Sequence, residues 1–551
     1  MSNSRISRRQ FISGGKKSKT YLDRLNPNWP TKEVAKLIRA NFEKNPISHS
    51  IQKTEKTLPI IHVKNRTNSL QEIDWNLDAA KHLLNRTLSG PSYDEINTSF
   101  TSGLESTVQS LLEEQSLPEP PGIWVNEDLP NWNSLSTAER NEIIQSYYNR
   151  MNQFRRWWCE RMMNESINIT ETMTLFWHHY FATGYSKVFY PQAMYHQQQV
   201  FRTHGLGNFK SLLRQITFGP AMIIWLDTGG SKKHAPNENF ARELMELFTL
   251  GVNNYSQDDV VAASRAFTGY VTDGIQTNYD FETMEGWGYW WTDWHDFDEK
   301  TFFGQTGNWT GDDILNIILE QDECAKQICR RIYKWFVYDN VDESFISEMA
   351  DVLRSNDYEI KPMMEFLLLS EHFHDPNFRG AAIQNPNQMM TGTIKRLNLQ
   401  NQNFPTNFFP NLQDSMGMLL FEPPDVSGWL GYHSWINSNT IPMRKIVLSS
   451  LITGESPFGN FGTYLNLQTL SQSLYNPNDD GYPSEQVVRK LAFIFFGLPL
   501  TEAMEQQLQD ILLNGAEPYD WNINLPSYNS QWNRMKDMLI HMFRLPEFQL
   551  S

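Results

Sequence analysis

From about Trp75 onward, apolar residues recur along the chain at three-to-four spacing, the period of a helix with one buried face. Leu77, Ala80, Leu83 and Leu84 form the first such stripe, in a segment predicted to end near Gly90-Pro91. A proline-rich passage, Leu117-Pro118-Glu119-Pro120-Pro121-Gly122, separates it from a long aromatic helical stretch over about 137–182. Pro236 is predicted to open a further helix that Gly251 closes. On it, Phe240, Leu244, Leu247 and Phe248 form the expected buried stripe, centred near Leu244. Ser256 and Asp259 have the spacing of a capping box for the next helix, which should end at Gly269.

Over 270–305 the helical rhythm breaks. Gly274, Gly286 and Gly288, with Trp287, Tyr289, Trp291 and Trp294, predict short strands or an ordered aromatic loop. After Trp309 the pattern is helical again, and Cys329–Phe373 and Arg489–Phe548 share a faint order: a basic or aromatic helix, a second helix, then a methionine-rich one. Two copies do not make a solenoid. Between them, 400–445 is rich in asparagine and proline and reads as loop. The predicted fold class is mainly α, a large multi-helical domain with a small β or irregular aromatic insertion and a helical C-terminal part. Its expected divisions are a basic arm (1–70), a main helical domain (71–400) carrying the insertion, and a loop-rich and helical part (401–551) packed on it.

Composition narrows the class. The 551 residues carry 47 basic and 63 acidic side chains, a net charge of −16, with 40% hydrophobic residues. That mixture excludes a collagen, a low-complexity disordered chain and a disulfide scaffold. The charge is uneven: residues 1–66 hold 15 Lys/Arg against 4 Asp/Glu, a net of +11, which leaves −27 on the rest. An arm of this kind is expected to dock on its own acidic body or to stay mobile. Nucleic acid is disfavoured as a partner, because the arm lacks interleaved aromatics and the body would repel phosphates. Within the arm, Ser7-Arg8-Arg9-Gln10-Phe11-Ile12 is similar to a twin-arginine export motif. Gly14-Gly15-Lys16-Lys17 stands where about 7–15 apolar residues should follow, so localisation stays open between export and cytoplasmic retention. The longest apolar runs reach about half of the ~20 residues of a spanning helix, and no transmembrane segment is predicted. Cys159, Cys324 and Cys329 fit neither a redox pair nor a zinc pattern, and are expected as buried thiols.

H-E-x-x-H, G-x-S-x-G, a phosphate-binding loop and a dinucleotide fingerprint are all absent. Four polar blocks remain. In Asn237–Leu247, Glu243 is expected half-buried beside the apolar stripe, where a carboxylate can serve as acid or ligand; the alternative is that Arg242 and Glu243 form a structural network. His178 lies one face round from His179, and adjacent helical histidines chelate one metal poorly; His204 would join His178 only through tertiary folding. His295, Asp296 and Lys300 lie in the irregular loop, placed to reach a substrate or to close a turn. Asp425 and Trp429 sit on a stretch stiffened by Pro423-Pro424, a setting for a flat polar ligand or a buried corner. The candidate catalytic residues are therefore His178, His204, Glu243, His295, Asp296 and Asp425. Candidate substrate-binding residues are Asn237, Arg242, Lys300 and Trp429. No cofactor or metal is assigned.

Together these blocks resemble a bacterial domain-of-unknown-function family, the one numbered 1800. The likeness runs through Ala80-Lys81-His82-Leu83-Leu84-Asn85-Arg86 with Gly90-Pro91, Met173-Thr174-Leu175-Phe176-Trp177-His178, and Asn237-Glu238-Asn239-Phe240-Ala241-Arg242-Glu243-Leu244. It continues through Phe267-Thr268-Gly269, His295-Asp296, Lys300-Thr301, Pro423-Pro424-Asp425-Val426-Ser427-Gly428-Trp429 and Pro546-Glu547-Phe548-Gln549, covering about 74–550. Ser89 departs from the pattern, standing where an aromatic is usual. The resemblance implies a largely helical protein, commonly with an export signal and encoded beside a sulfatase-like protein. Two functions follow as expectations: a hydrolase-like enzyme whose polar blocks share one pocket, or a non-catalytic helical scaffold or binding partner whose polar blocks are internal clamps.

Overall fold

Helix-starting chemistry written in the sequence is used throughout the computed structural model, which describes residues 73–130, 134–271, 289–405, 407–456, 459–460, 465, 470, 483–521 and 529–551. Ser256 and Asp259 form the capping box expected of them, and the same reciprocal bonds start the helices at Ser92, Ser136 and Thr310. Each such cap is worth about 1 kcal/mol by satisfying amides the helix itself leaves open. The basic arm with its Arg8-Arg9 motif, and Gly274, Gly286, Trp287 and Gly288 of the insertion, lie outside the described residues.

The described residues form 22 helices, and the structure is 64% helical with 4% in strands. The protein is mainly α with a small sheet insertion. Tyr270–Val271 pairs antiparallel with Tyr289–Trp290, Lys300–Phe302 with Gln305–Gly307, and Glu455–Ser456 with Gly459–Asn460. The aromatic stretch over 137–182 resolves into two helices, Thr137–Asn164 and Thr170–Tyr180. The helix order seen twice in the sequence is present: Asp322–Phe336, Glu343–Ser355 and Ile360–Leu368, then Ser484–Phe495, Glu502–Leu513 and Asn529–Met542. No helix among the described residues is long and apolar enough to cross a membrane. All three cysteines are buried free thiols, and burial pushes Cys324 up to about 12.

The apolar side chains gather into two cores. One takes the helices Leu77–Thr87 and Phe209–Phe218, the segment from Phe240 to Phe267, and the first three-helix set. The other takes Thr137–Asn164, Pro386–Arg396, Phe408–Ser415 and the second set. The Thr170–Tyr180 helix lies on the seam: Met173, Phe176 and Trp177 enter the first core and Leu175 the second. Trp225, Trp335 and Phe493 pack against both. A backbone contact also joins the two sides. Gly90 has φ 149°, and a Cβ there would stand 2.4 Å from Gly392 Cα, so both positions are closed to side chains.

The helix opened after Pro236 differs from the regular one expected. Asn237 caps it, Glu238–Glu243 is α-helical, and Leu244–Thr249 winds as a π-helix before Gly251 turns the chain at φ 81°. The wider turn moves the buried face. Phe240, Leu244, Met245 and Phe248 are buried, whereas Leu247 is only half-buried. Thr249 Oγ1 donates to the Leu244 carbonyl at 2.7 Å, supplying a bond across the widened turn.

Candidate functional site

The seam helix presents two adjacent histidines, His178 of the motif and His179 after it, to one loop. His178 Nε2 accepts the Phe421 N–H at 3.0 Å, and His179 Nδ1 accepts the Trp429 N–H at 3.2 Å. Their side chains diverge on the helix as expected, and the curved 419–431 loop meets both. His178 is enclosed by Trp158, Phe421 and Trp429, with ring centroids 5.5, 4.9 and 5.5 Å away. His179 stacks on Trp335 at 5.4 Å. Burial, aided by the Arg155 charge, pulls His178 down to about 3. Burial, Arg331 and His178 hold His179 well below the usual imidazole range. Both rings are therefore neutral acceptors at pH 7. Gly428, at φ 78°, lets the loop close, since a Cβ would stand 2.4 Å from the His179 carbonyl oxygen.

Trp429 is buried in this clamp, while Asp425 is exposed on the same loop. The Asp425 carboxylate accepts the Ser427 N–H at 2.8 Å and its hydroxyl at 2.5 Å, a local turn. Beneath the loop the structure places three residues that the sequence reading missed. Arg155, wholly buried, donates to the Leu420 carbonyl at 2.9 Å and stands 3.8 Å from Glu422. Burial raises Asp414 to about 6, Arg155 opposing and the Glu422 charge adding to the rise. Glu422 had a signal, since it precedes Pro423 in the motif. Arg155 and Asp414 had none, because only tertiary folding brings them together.

A second group forms where the 295–300 segment packs on the Gln257–Ala266 helix. Arg265 holds Asp296 through two bonds, 2.7 and 3.1 Å. Burial works against the Asp296 charge, but the Arg265 hydrogen bonds and charge prevail and keep its carboxyl below the usual range. Lys300 Nζ donates to the carbonyls of Asp296 and Asp298, and its side chain is 0% exposed. His295 Nδ1 donates to the Thr268 carbonyl at 2.8 Å; its Nε2 is buried without a partner among the described residues. Burial lowers both His295 and Lys300. Asn237 adjoins this group. Its N–H donates to Ser231 Oγ at 3.0 Å, the Ser231 carbonyl accepts the Gly269 N–H at 3.1 Å, and Lys233 N–H reaches the Trp294 carbonyl at 2.7 Å.

Arg242 and Glu243 share the next helix. Arg242 is half-exposed and donates to Gln257 at 2.8 Å and Glu238 at 3.4 Å, whereas Glu243 is buried at the start of the π-turn. His204 ends the Pro191–His204 helix, with its Nε2 2.5 Å from Gln215 Nε2. The candidates thus stand in separate places. His178, Trp429 and Asp425 belong to one clamp, and His295, Asp296 and Lys300, with Asn237 beside them, to another. No hydrogen bond, ion pair or ring contact joins those two sets among the described residues. Among the described residues, no three His, Cys, Asp or Glu side chains are grouped to hold a metal. Clefts of about 530 Å³ beside Trp124 and Arg150, and about 550 Å³ beside Asp510 and Arg534, are lined by none of the ten candidates.

A two-core helical body stitched by polar motif residues defines the class. Residues 82–550 match the family described as a protein of unknown function (DUF1800), and the chain belongs to that family. No curated protein and no solved structure matches it.

Proposed function

We propose that this protein is a non-catalytic helical scaffold and that it binds a sulfatase-like protein. The observation that carries the reading is the use of its buried polar residues. His178 and His179 spend their acceptor nitrogens on backbone N–H groups of one loop, and Lys300 is sealed onto two carbonyls. A general base or a nucleophile must reach a reacting atom with a free lone pair. These groups instead lock loops to helices, as buried polar groups do when they specify one packing. The sulfatase-like partner comes from the family resemblance.

The test is reconstitution of the purified full chain with the sulfatase-like protein encoded beside it. A complex on size-exclusion chromatography, with clamp variants losing partner binding only in step with their loss of folded protein, is the expected result. A clamp variant that keeps its melting temperature but abolishes hydrolysis of an ester substrate would overturn it.

A second reading, the hydrolase-like enzyme, draws on a different observation. Asp414, raised to about 6 near Glu422, has the protonation behaviour suited to a general acid near neutrality. Ester hydrolysis by the purified chain that falls in Asp414→Asn at unchanged melting temperature would favour that reading.

A further inference from the structure

The Leu77–Thr87 helix is surrounded by buried positive charge. Lys81, His82 and Arg86 are 6, 4 and 4% exposed, His374 and Arg396 are 6 and 7% exposed, and half-buried Arg379 lies among them. Arg379 is close enough for its charge to bear on Lys81, His82 and His374 together. None of Lys81, Arg86, Arg379 and Arg396 forms an ion pair among the described residues. Arg86 donates to the Phe378 carbonyl at 3.0 Å and Arg396 to Asn85 at 2.7 Å, while Lys81 Nζ sits 4.4 Å over the Phe493 ring. Among the described residues, two carboxylates bear on the cluster. Asp78, exposed, acts on Lys81, and Glu95 acts on Arg396 but is already bonded to Lys395 at 2.7 Å.

The two histidines are poised alike. His82 Nε2 lies 3.1 Å from the Phe373 carbonyl oxygen and His374 Nε2 lies 2.9 Å from that of Leu368. A carbonyl only accepts, so each Nε2 carries the proton and each Nδ1 is left as the open atom. Both Nδ1 atoms are buried without a partner among the described residues, as are Arg86 Nε and Arg379 Nε. The rings are 6.5 Å apart. Carbonyls at the ends of the Ile360–Leu368 and Glu371–His374 helices favour nearby positive charge, but their partial charges do not balance this many cations. Burial accordingly lowers Lys81 to about 8 and both Arg86 and Arg396 to about 10.

We propose that this cluster binds a small oxyanion of the phosphate or sulfate type, held by His82, His374 and Arg379. Such an ion supplies the negative charge the cluster lacks and accepts from several donors at once. Protonation of His82 or His374 at Nδ1 would turn that atom into a further donor, so binding should take up protons and strengthen as the pH falls. The charges facing the two rings are those of Arg86, Arg379 and each other; those facing Lys81 are Asp78, Arg379 and Arg396. This inference is independent of the scaffold reading.

Thermal unfolding of the full chain in inorganic phosphate, sulfate and chloride at matched ionic strength tests it. Phosphate or sulfate should raise the melting temperature saturably and chloride should not. In Arg379→Met, at a half-exposed position that should still fold, and in His82→Gln, the apparent Kd should weaken by about tenfold or more. Monoesters of phosphate and sulfate form the second arm. Tighter binding of a monoester than of the inorganic ion assigns the site to an ester-bearing ligand, and the reverse assigns it to the free ion. Equal responses to chloride and the oxyanions, no response, or an undiminished response in Arg379→Met would each overturn the proposal.

Discussion

Arg202 grips Glu171 through two hydrogen bonds, 2.7 and 2.5 Å, with the two side chains 2 and 4% exposed. The same carboxylate accepts the Trp158 indole N–H at 3.0 Å, so three helices, Thr137–Asn164, Thr170–Tyr180 and Pro191–His204, meet on one buried charge. Arg161 approaches it at 3.6 Å from the solvent side. Removing the acid leaves a buried guanidinium unpaired. Glu171→Ala should therefore lose about 3–5 kcal/mol of stability, measured as a fall in the urea midpoint at unchanged slope. The double variant Glu171→Leu with Arg202→Met should recover a large part of that loss, because it removes both charges. A single variant with an unchanged midpoint would show that the pair stabilises nothing.

Gly90 and Gly392 make a second tie, through backbone alone. A Cβ on Gly392 would stand 2.3 Å from the Ser89 carbonyl oxygen and 3.1 Å from Gly90 Cα, and these atoms belong to backbone that cannot rotate away. Gly392→Ala is expected to cost about 2–3 kcal/mol or more, the range of overpacking in a closed core. Gly103 provides the control. It has φ 86° with nothing within 4 Å, so Gly103→Ala should cost about 1 kcal/mol, from backbone strain alone. Melting temperatures of the two variants in one buffer would separate contact from strain.

These two cases show what the sequence could reveal. Gly90-Pro91 was legible as a helix stop, and the capping box at Ser256 was legible because its parts lie three residues apart. Gly392, in the interior of a helix, carries no local sign that a loop 300 residues earlier will press against it. The π-turn defeated the helical wheel for a related reason. A period of 3.6 puts Leu247 inside, but the turn widens after Glu243 and Met245 takes that place. The candidate residues stand out by chemical type, and type does not encode company. His178 and Trp429 meet because of how the 419–431 loop folds back, whereas His204 ends beside Gln215.

The buried histidines give stability a pH dependence of definite sign. His178 falls to about 3 in the folded chain against 6.5 when exposed, and His374 falls to about 4, in each case chiefly through burial. The unfolded chain then binds more protons than the folded one between those values. Stability should rise with pH across this window and be lost as the pH falls from about 6.5 towards 4. Asp414 opposes part of this. With its carboxyl raised to about 6, the folded chain holds a proton that the unfolded chain releases, so its contribution is lost as the pH rises through about 4–6. The histidines outnumber it and should prevail. Urea midpoints at pH 7.5, 6 and 5 should fall in that order, and His178→Gln, which can still accept the Phe421 N–H, should flatten the slope. Midpoints that stay level, or a His178→Gln profile parallel to the native one, would contradict the assignment.

Asp296 and Asp425 offer the sharpest contrast between a clamp and a surface turn. Asp296 is 8% exposed and faces Arg265 and Lys300, with Lys300 Nζ 3.9 Å from one carboxylate oxygen. Asp296→Asn keeps the shape but withdraws the charge that both cations face. It should destabilise by about 2–3 kcal/mol and disturb the near-ultraviolet signal of Trp290 and Trp294, which flank the same loop. Asp425 is exposed, and among the described residues its carboxylate bonds only within its own turn, to Ser427. Asp425→Ala should cost under about 1 kcal/mol and leave that signal alone. If the two substitutions instead lower stability equally, Asp296 is not a buried tie between the insertion and the Gln257–Ala266 helix, and the clamp description of that loop fails.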